Sequence, residues 1–225
     1  MPPPKRKPFS TSLQPPPGRN LTLPTPSNPQ PDTNPAIFND AMAVRLPVFV
    51  TEQQCSADAE IDSDDAHSWH WVIYHHSEIS ASTHTTKKPV AVIRLVPPPH
   101  APHEVLMQPE RAASLPEFDL EHEPCVKITR VAVLPEYRGY GLGKELVETV
   151  LAWTRENASE IDRAYVDRSQ GSSRRWKGLV LVHAQVQVEK LYERMGFTRD
   201  DLLGRWDEEG IQHVGMWRRV HVKSD

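Results

Sequence analysis

Residues 135–146 read PEYRGYGLGKEL, with glycine at every second position (Gly139, Gly141, Gly143) between Arg138 and Lys144. Alternate glycines let the backbone take positive φ and approach a ligand with no Cβ in the way. The preceding CVKITRVAVLP (125–135) is β-branched and apolar and predicts a strand. The following GLGKELVETVLAWTREN spaces Leu142, Leu146, Val150 and Trp153 for one helical face. A strand-to-helix junction points backbone N–H groups and the positive end of the helix dipole at one spot, which favours an anion. The stretch therefore predicts an α/β arrangement and a pyrophosphate cradle, with Arg138 and Lys144 adding charge. It matches neither the G-x-G-x-x-G dinucleotide loop nor the P-loop, because Glu145 follows the lysine where a P-loop has Ser or Thr.

Elsewhere the pattern alternates in the same way. IFNDAMAVRLPVFVTEQ reads as a helix broken near Pro47, with Phe38, Met42, Leu46 and Phe49 on one face. HWVIYHH (70–76), PVAVIRLVP (89–97), WKGLVLVHA (176–184) and IQHVGMWRRVHV (211–222) read as strands, and VQVEKLYERMGF as a helix ending at Gly196. The reading is one α/β domain over 36–225 with a mixed sheet. Loop insertions fall at about 76–88, 97–124 and 157–177. Residues 1–35 are dense in proline and polar side chains, too poor in apolar area to offset ordering entropy, and predict a disordered tail.

Charge and composition exclude several classes. A net charge of −4 argues against nucleic-acid binding, and no apolar run approaches the roughly 18 residues of a membrane span. Two cysteines, Cys55 and Cys125, are too few for a disulfide framework and have no metal-ligand spacing. The expectation is a cytoplasmic protein without a metal. A nuclear location is left open by KRK at 5–7, and a homodimer is compatible with the sequence.

The motif RGYGLG, after a strand ending RVAVLPEY, resembles the R/Q-x-x-G-x-G/A signature of the GNAT superfamily of acyl-CoA N-acyltransferases. LYERMGF is similar to that family's second motif, a tyrosine-bearing helix followed by G-F. VRLPVFVTEQQCSADAEIDSDD, HAQVQVEKLYERMGF and DEEGIQHVGM resemble segments of its ElaA-like (YjcF-like) branch, in the same order. The resemblance runs from about residue 41 to 218. It implies a GNAT-type mixed, mostly antiparallel central sheet flanked by helices. It also implies acetyl-CoA as co-substrate, held by Val131, Ala132 and Val133 of the strand and by Arg138, Gly139, Tyr140, Gly141, Leu142, Gly143 and Lys144 of the loop. The activity implied is N-acetyl transfer to a primary amine of a small molecule, such as an amino sugar phosphate or a polyamine. A peptide acceptor and a CoA-binding regulatory module without turnover remain alternatives.

Such a transfer poses two proton problems. An alkyl ammonium, with a pKa of about 10, must lose a proton before its nitrogen attacks, and a thiolate leaves more easily when protonated. The resemblance puts Tyr192 at the position of the acid for the departing thiolate. Glu52 is the leading carboxylate for binding or deprotonating the amine, and His213, in GIQHVGM, is a candidate for the acceptor side. Asp62, Arg94 and Arg130 match charged positions of the branch and are expected to bind the acceptor. Glu60, Asp62, Asp64 and Asp65 together read as an acidic loop, either simply solvated or, above all at Asp62, able to attract a cationic amine.

Overall fold

The computed structural model describes residues 8–78, 85–169, 171 and 173–223. The basic triplet at 5–7 lies outside the described residues. The strands form a mixed, mostly antiparallel sheet flanked by helices. The chain divides into two units, Met1–Arg94 with Arg130–Leu146, and Leu95–Thr129 with Val147–Asp225.

In the first unit the strand order is β1 (Phe9–Gln14), β2 (Trp69–Glu78), β3 (Thr85–Val96), β4 (Val126–Val133), the last two continuing into the second unit. β1 pairs antiparallel with β2, from Phe9 opposite His75 to Gln14 opposite His70. This corrects the tail reading for the described part of residues 1–35. FSTSLQ alternates well enough to add a strand to an open sheet edge, although its proline-rich flanks hide it. Helix α1 (Ala36–Arg45) packs Ala41 and Val44 against Val72, Tyr74, Val92, Ala132 and Leu134. The break expected at Pro47 is instead a change of helix type. Proline donates no backbone hydrogen bond, and the chain widens into a π-helix over Leu46–Glu52, ending in a five-residue bond from Gln53 N–H to Val48 C=O.

The second unit contains β5 (Leu179–Gln185), β6 (Thr198–Arg199), β7 (Arg205–Glu208) and β8 (Ile211–Arg219). β4 pairs parallel with β5, while β8 pairs antiparallel with β5, β6 and β7. Of its helices, the short α2 (Glu104–Met107) occupies the 97–124 insertion. Helix α3 (Leu142–Glu156) begins in the first unit, and Val147, Val150 and Leu151 are buried in the second. The 157–177 insertion is not simply a loop, for α4 (Ala158–Arg168) buries Ile161 and Tyr165, one helical turn apart. Helix α5 (Glu189–Arg194) ends as expected, with Gly196 left-handed at φ +78°. Among the described residues no helix is long and apolar enough to cross a membrane.

Candidate active site

Strand β4 keeps register with β5 from Val126 to Ile128, and Arg130 then takes φ +52°. A left-handed non-glycine residue inside a strand bends it, as a bulge does. The strand continues through Val131, Ala132 and Val133, a turn over Pro135–Tyr137 follows, and the glycine loop begins. Gly139 and Gly141 stand at φ +87° and +78°, and a Cβ on either would meet nothing within 4 Å. Glycine is required there by backbone conformation, and the space beside the loop is open. The first bond of α3 runs from Glu145 N–H to Gly141 C=O at 3.0 Å. The N–H groups of Leu142 and Gly143 precede that bond and have no acceptor within the helix. Leu142 anchors the loop with a buried side chain, while Tyr140 and Lys144 are exposed.

Arg138 is turned along the protein. Its guanidinium forks onto Glu52 at 2.8 and 2.5 Å, and its Nε donates to the Val133 carbonyl at 3.2 Å. The π-helix delivers Glu52 to this contact. Hydrogen bonding from Arg138 lowers the Glu52 pKa, so the carboxylate stays ionised and is a weak base. Glu52, expected to bind or deprotonate the amine, is thus engaged by Arg138 in this structure.

Asp62, Arg94 and Arg130 come together, but on one another. Arg94 forks onto Asp62 at 2.6 and 2.9 Å and reaches Asp65 at 3.0 Å, and Arg130 meets Asp62 at 3.2 Å. Behind them, fully buried Arg45 bonds Glu60 at 2.6 Å and Asp65 at 2.7 Å. Burial works against ionising Asp65, but Arg45 and Arg94 outweigh it and hold its pKa far below the usual carboxylate range. His70, buried edge-on to Phe38, is pushed down to about 3 by burial and is neutral. The acidic loop is therefore neither solvated nor a free lure for a cation. Glu60 and Asp65 face inward as counter-ions, whereas Asp64 is partly exposed and Asp62 and Arg130 keep an outward part, with side chains 34% and 26% exposed. A cavity of about 350 Å³, lined by Arg19, Asn20, Ser63 and His67, adjoins Asp62. Sequence reasoning missed Arg45, although a charge on the buried face of α1, one turn after Met42, was the available signal.

In the second unit Tyr192 is buried edge-on to Phe197 at 5.5 Å, and burial raises its phenol pKa, which keeps it a neutral O–H. His213 has Nδ1 2.8 Å from the Ile211 carbonyl. A carbonyl only accepts, so Nδ1 carries the proton and Nε2 the lone pair. The ring stacks on Trp206, at a centroid distance of 6.3 Å. Trp206 also meets His103 and His183 at 4.7 and 4.8 Å and donates to Glu208 at 2.5 Å. Burial lowers His183 to about 4; burial opposes ionisation of Glu208, but hydrogen bonds from His183 and Trp206 bring it down to about 2. This histidine–tryptophan group was not foreseen, and a lone histidine within LVLVHAQ was its one local trace. Among the described residues no group of three or more His, Cys, Asp or Glu side chains is placed to hold a metal ion.

A bent strand running into left-handed glycines and a helix start is, within an α/β fold, a geometry suited to an anion. Residues 44–197 match the Acetyltransferase (GNAT) family. The fold is similar to that of an acyl-CoA N-acyltransferase from Pseudomonas aeruginosa, at 22% identity over 93% of this chain and 99% of that one, TM-score 0.52. It is likewise similar to ElaA from Escherichia coli, at 20% identity over 93% and 100% of the two chains, TM-score 0.51. The chain belongs to the GNAT family of acetyltransferases, enzymes that use acetyl-CoA and act on amines. The residues present fit that co-substrate: the open face beside Gly139 and Gly141 admits a pyrophosphate, and the N–H groups of Leu142 and Gly143 are available to it.

Proposed function

We propose that the chain transfers the acetyl group of acetyl-CoA to a primary amine of a small molecule. The observation that carries this reading is the loop itself, with two left-handed glycines beside open space and a helix start whose first N–H groups have no helical acceptor. Val131, Ala132 and Val133 would line the pantetheine arm, and Arg138 to Lys144 would hold the pyrophosphate. Arg138 is presented by Glu52 and the Val133 carbonyl rather than swinging freely.

In the reaction the amine nitrogen forms a bond to the thioester carbonyl carbon, the C–S bond breaks, and the thiolate takes a proton. Tyr192, held neutral by burial, supplies that proton. His213, with its lone pair on Nε2, accepts the proton that the ammonium must lose. Asp62 and Arg130 offer their outward parts to the acceptor, while Arg94 holds Asp62 in place. With Glu60 and Asp65 neutralised by arginine, the attraction for a polyamine is weaker than a free acidic loop would provide.

The test is a thiol-release screen with acetyl-CoA over amino sugar phosphates, polyamines and peptide amines, run beside direct CoA binding. Release with a small amine supports the reading, and release with peptides alone moves it to a peptide acetyltransferase. CoA binding with no release across the panel makes the chain a regulatory module. Tyr192→Phe should lower kcat by about tenfold or more, with the KM for acetyl-CoA nearly unchanged. Equal loss of both would make Tyr192 a packing residue.

A further inference from the structure

Phe9 is the sole aromatic residue among the first 35, and it begins strand β1. Its backbone is pinned at the sheet edge, opposite His75, with His76 N–H donating to the Pro8 carbonyl at 2.7 Å. From there its ring reaches His75 at 5.4 Å, Tyr137 at 6.4 Å and Tyr140 at 5.9 Å, both tyrosines nearly edge-on. Tyr137 is held in turn by its hydroxyl against His75 Nδ1 at 3.4 Å and by the Lys88 ammonium 5.4 Å over its ring. Tyr137 lies just before the glycine loop and Tyr140 is inside it, two thirds exposed, between Gly139 and Gly141.

A residue flanked by two left-handed glycines has little backbone preference of its own, because glycine has many conformations to lose on ordering. An edge-on aromatic contact from a strand-anchored ring selects one of those conformations before any ligand arrives. A ligand that needs the selected shape then avoids that ordering cost. We propose that strand β1 is a working part of the acyl-CoA loop, with Phe9 a positioning residue that presets Tyr137 and Tyr140. This rests on the reading of the loop as the acyl-CoA site, and it gives the proline-flanked N-terminal segment a part in co-substrate affinity. The contact is the same before and during acyl transfer, so it contributes to binding and leaves the chemical step alone.

The test compares the full chain with Phe9→Ala, Phe9→Tyr, Tyr140→Ala and the Phe9→Ala/Tyr140→Ala pair. CoA Kd, kcat at saturating acetyl-CoA, and Tm are measured for each. Phe9→Ala should raise the CoA Kd about three- to tenfold, the size of one aromatic pair, with kcat within about twofold. Phe9→Tyr should restore wild-type Kd. The double variant should bind no more weakly than the weaker single variant, since both remove the Phe9–Tyr140 contact. An unchanged Kd in Phe9→Ala, or additive losses in the double variant, overturns the proposal. If Phe9→Ala loosens the sheet edge and lowers Tm, Phe9→Leu, which keeps an apolar side chain there without the ring, carries the test, and a wild-type Kd in it overturns the proposal. Wild-type protein that fails to bind CoA overturns the proposed function instead, which separates the two failures.

Discussion

Two arginine–carboxylate contacts in the first unit have almost the same geometry and opposite surroundings. Arg138 meets Glu52 at 2.5 Å with both side chains nearly half exposed, whereas Arg45 meets Asp65 at 2.7 Å with neither exposed at all. Water and salt screen the first pair, which is worth little to stability. The second pair has lost its water, so each charge depends on its partners, and removing one strands the others. The same residue chemistry thus serves as a screened contact beside the glycine loop and as a rigid joint between α1, the 60–65 segment and β3.

Breaking the buried joint should have the largest effect. Arg45→Ala leaves Glu60 and Asp65 without their central cation and should lower the unfolding free energy by about 3–5 kcal/mol, read from denaturant midpoints. A change below about 1 kcal/mol would mean that Arg94 and Arg130 neutralise the cluster without Arg45.

Acid should weaken the buried region next. His70 and His183 have folded pKa values lowered to about 3 and about 4, so between pH 6.5 and 4 the unfolded chain binds more protons than the folded one. Stability therefore rises with pH across that window and is lost as pH falls from 6.5 toward 4, on the order of 3 kcal/mol per histidine, as thermal melts should show. The depressed Glu208 and Asp65 carboxylates add to this slope only at its acid end, since their contribution is present above the ordinary carboxylate pKa and is lost as pH falls through it. A flat profile from pH 6.5 to 4 would show that both histidines are already charged in the folded protein.

In the exposed region, Gly141→Ala should cost about 1–2 kcal/mol, because φ +78° is strained for any side chain. With open space around it, the cost should appear as weaker CoA binding rather than as a steric block. The smallest effect belongs to Glu52→Gln, which should change stability by less than about 1 kcal/mol, with the difference vanishing near 1 M salt. A salt-resistant loss comparable to that of Arg45→Ala would erase the distinction between the two pairs.

Much of the loop was legible because its requirements are local. Alternate glycines, a β-branched strand before them and a 3.6-residue apolar repeat after them specify a strand, a left-handed turn and a helix within thirty residues. The helix end at Gly196 was readable for the same reason. Strand β1 was not, because FSTSLQ carries a strand's alternation inside flanks that argue for disorder, and its partner lies more than fifty residues away. Helix α4 was hidden because Ile161 and Tyr165 are its only buried anchors in a polar stretch. The acidic segment was misread because its acids are indistinguishable from solvated ones until the arginines that face them are known.

The sequence by itself determined the family, the order of the main strands and helices, and the place of the glycine loop. Periodicity and glycine conformation are written over a few consecutive residues and need no distant partner. Only the tertiary structure decided which charges are buried and with whom: Glu52 bound to Arg138, Asp65 to Arg45, Asp62 between Arg94 and Arg130. It also decided that Phe9 reaches Tyr140. Ion pairing and ring contact depend on separation in space, which the chain sets only once its distant segments have packed.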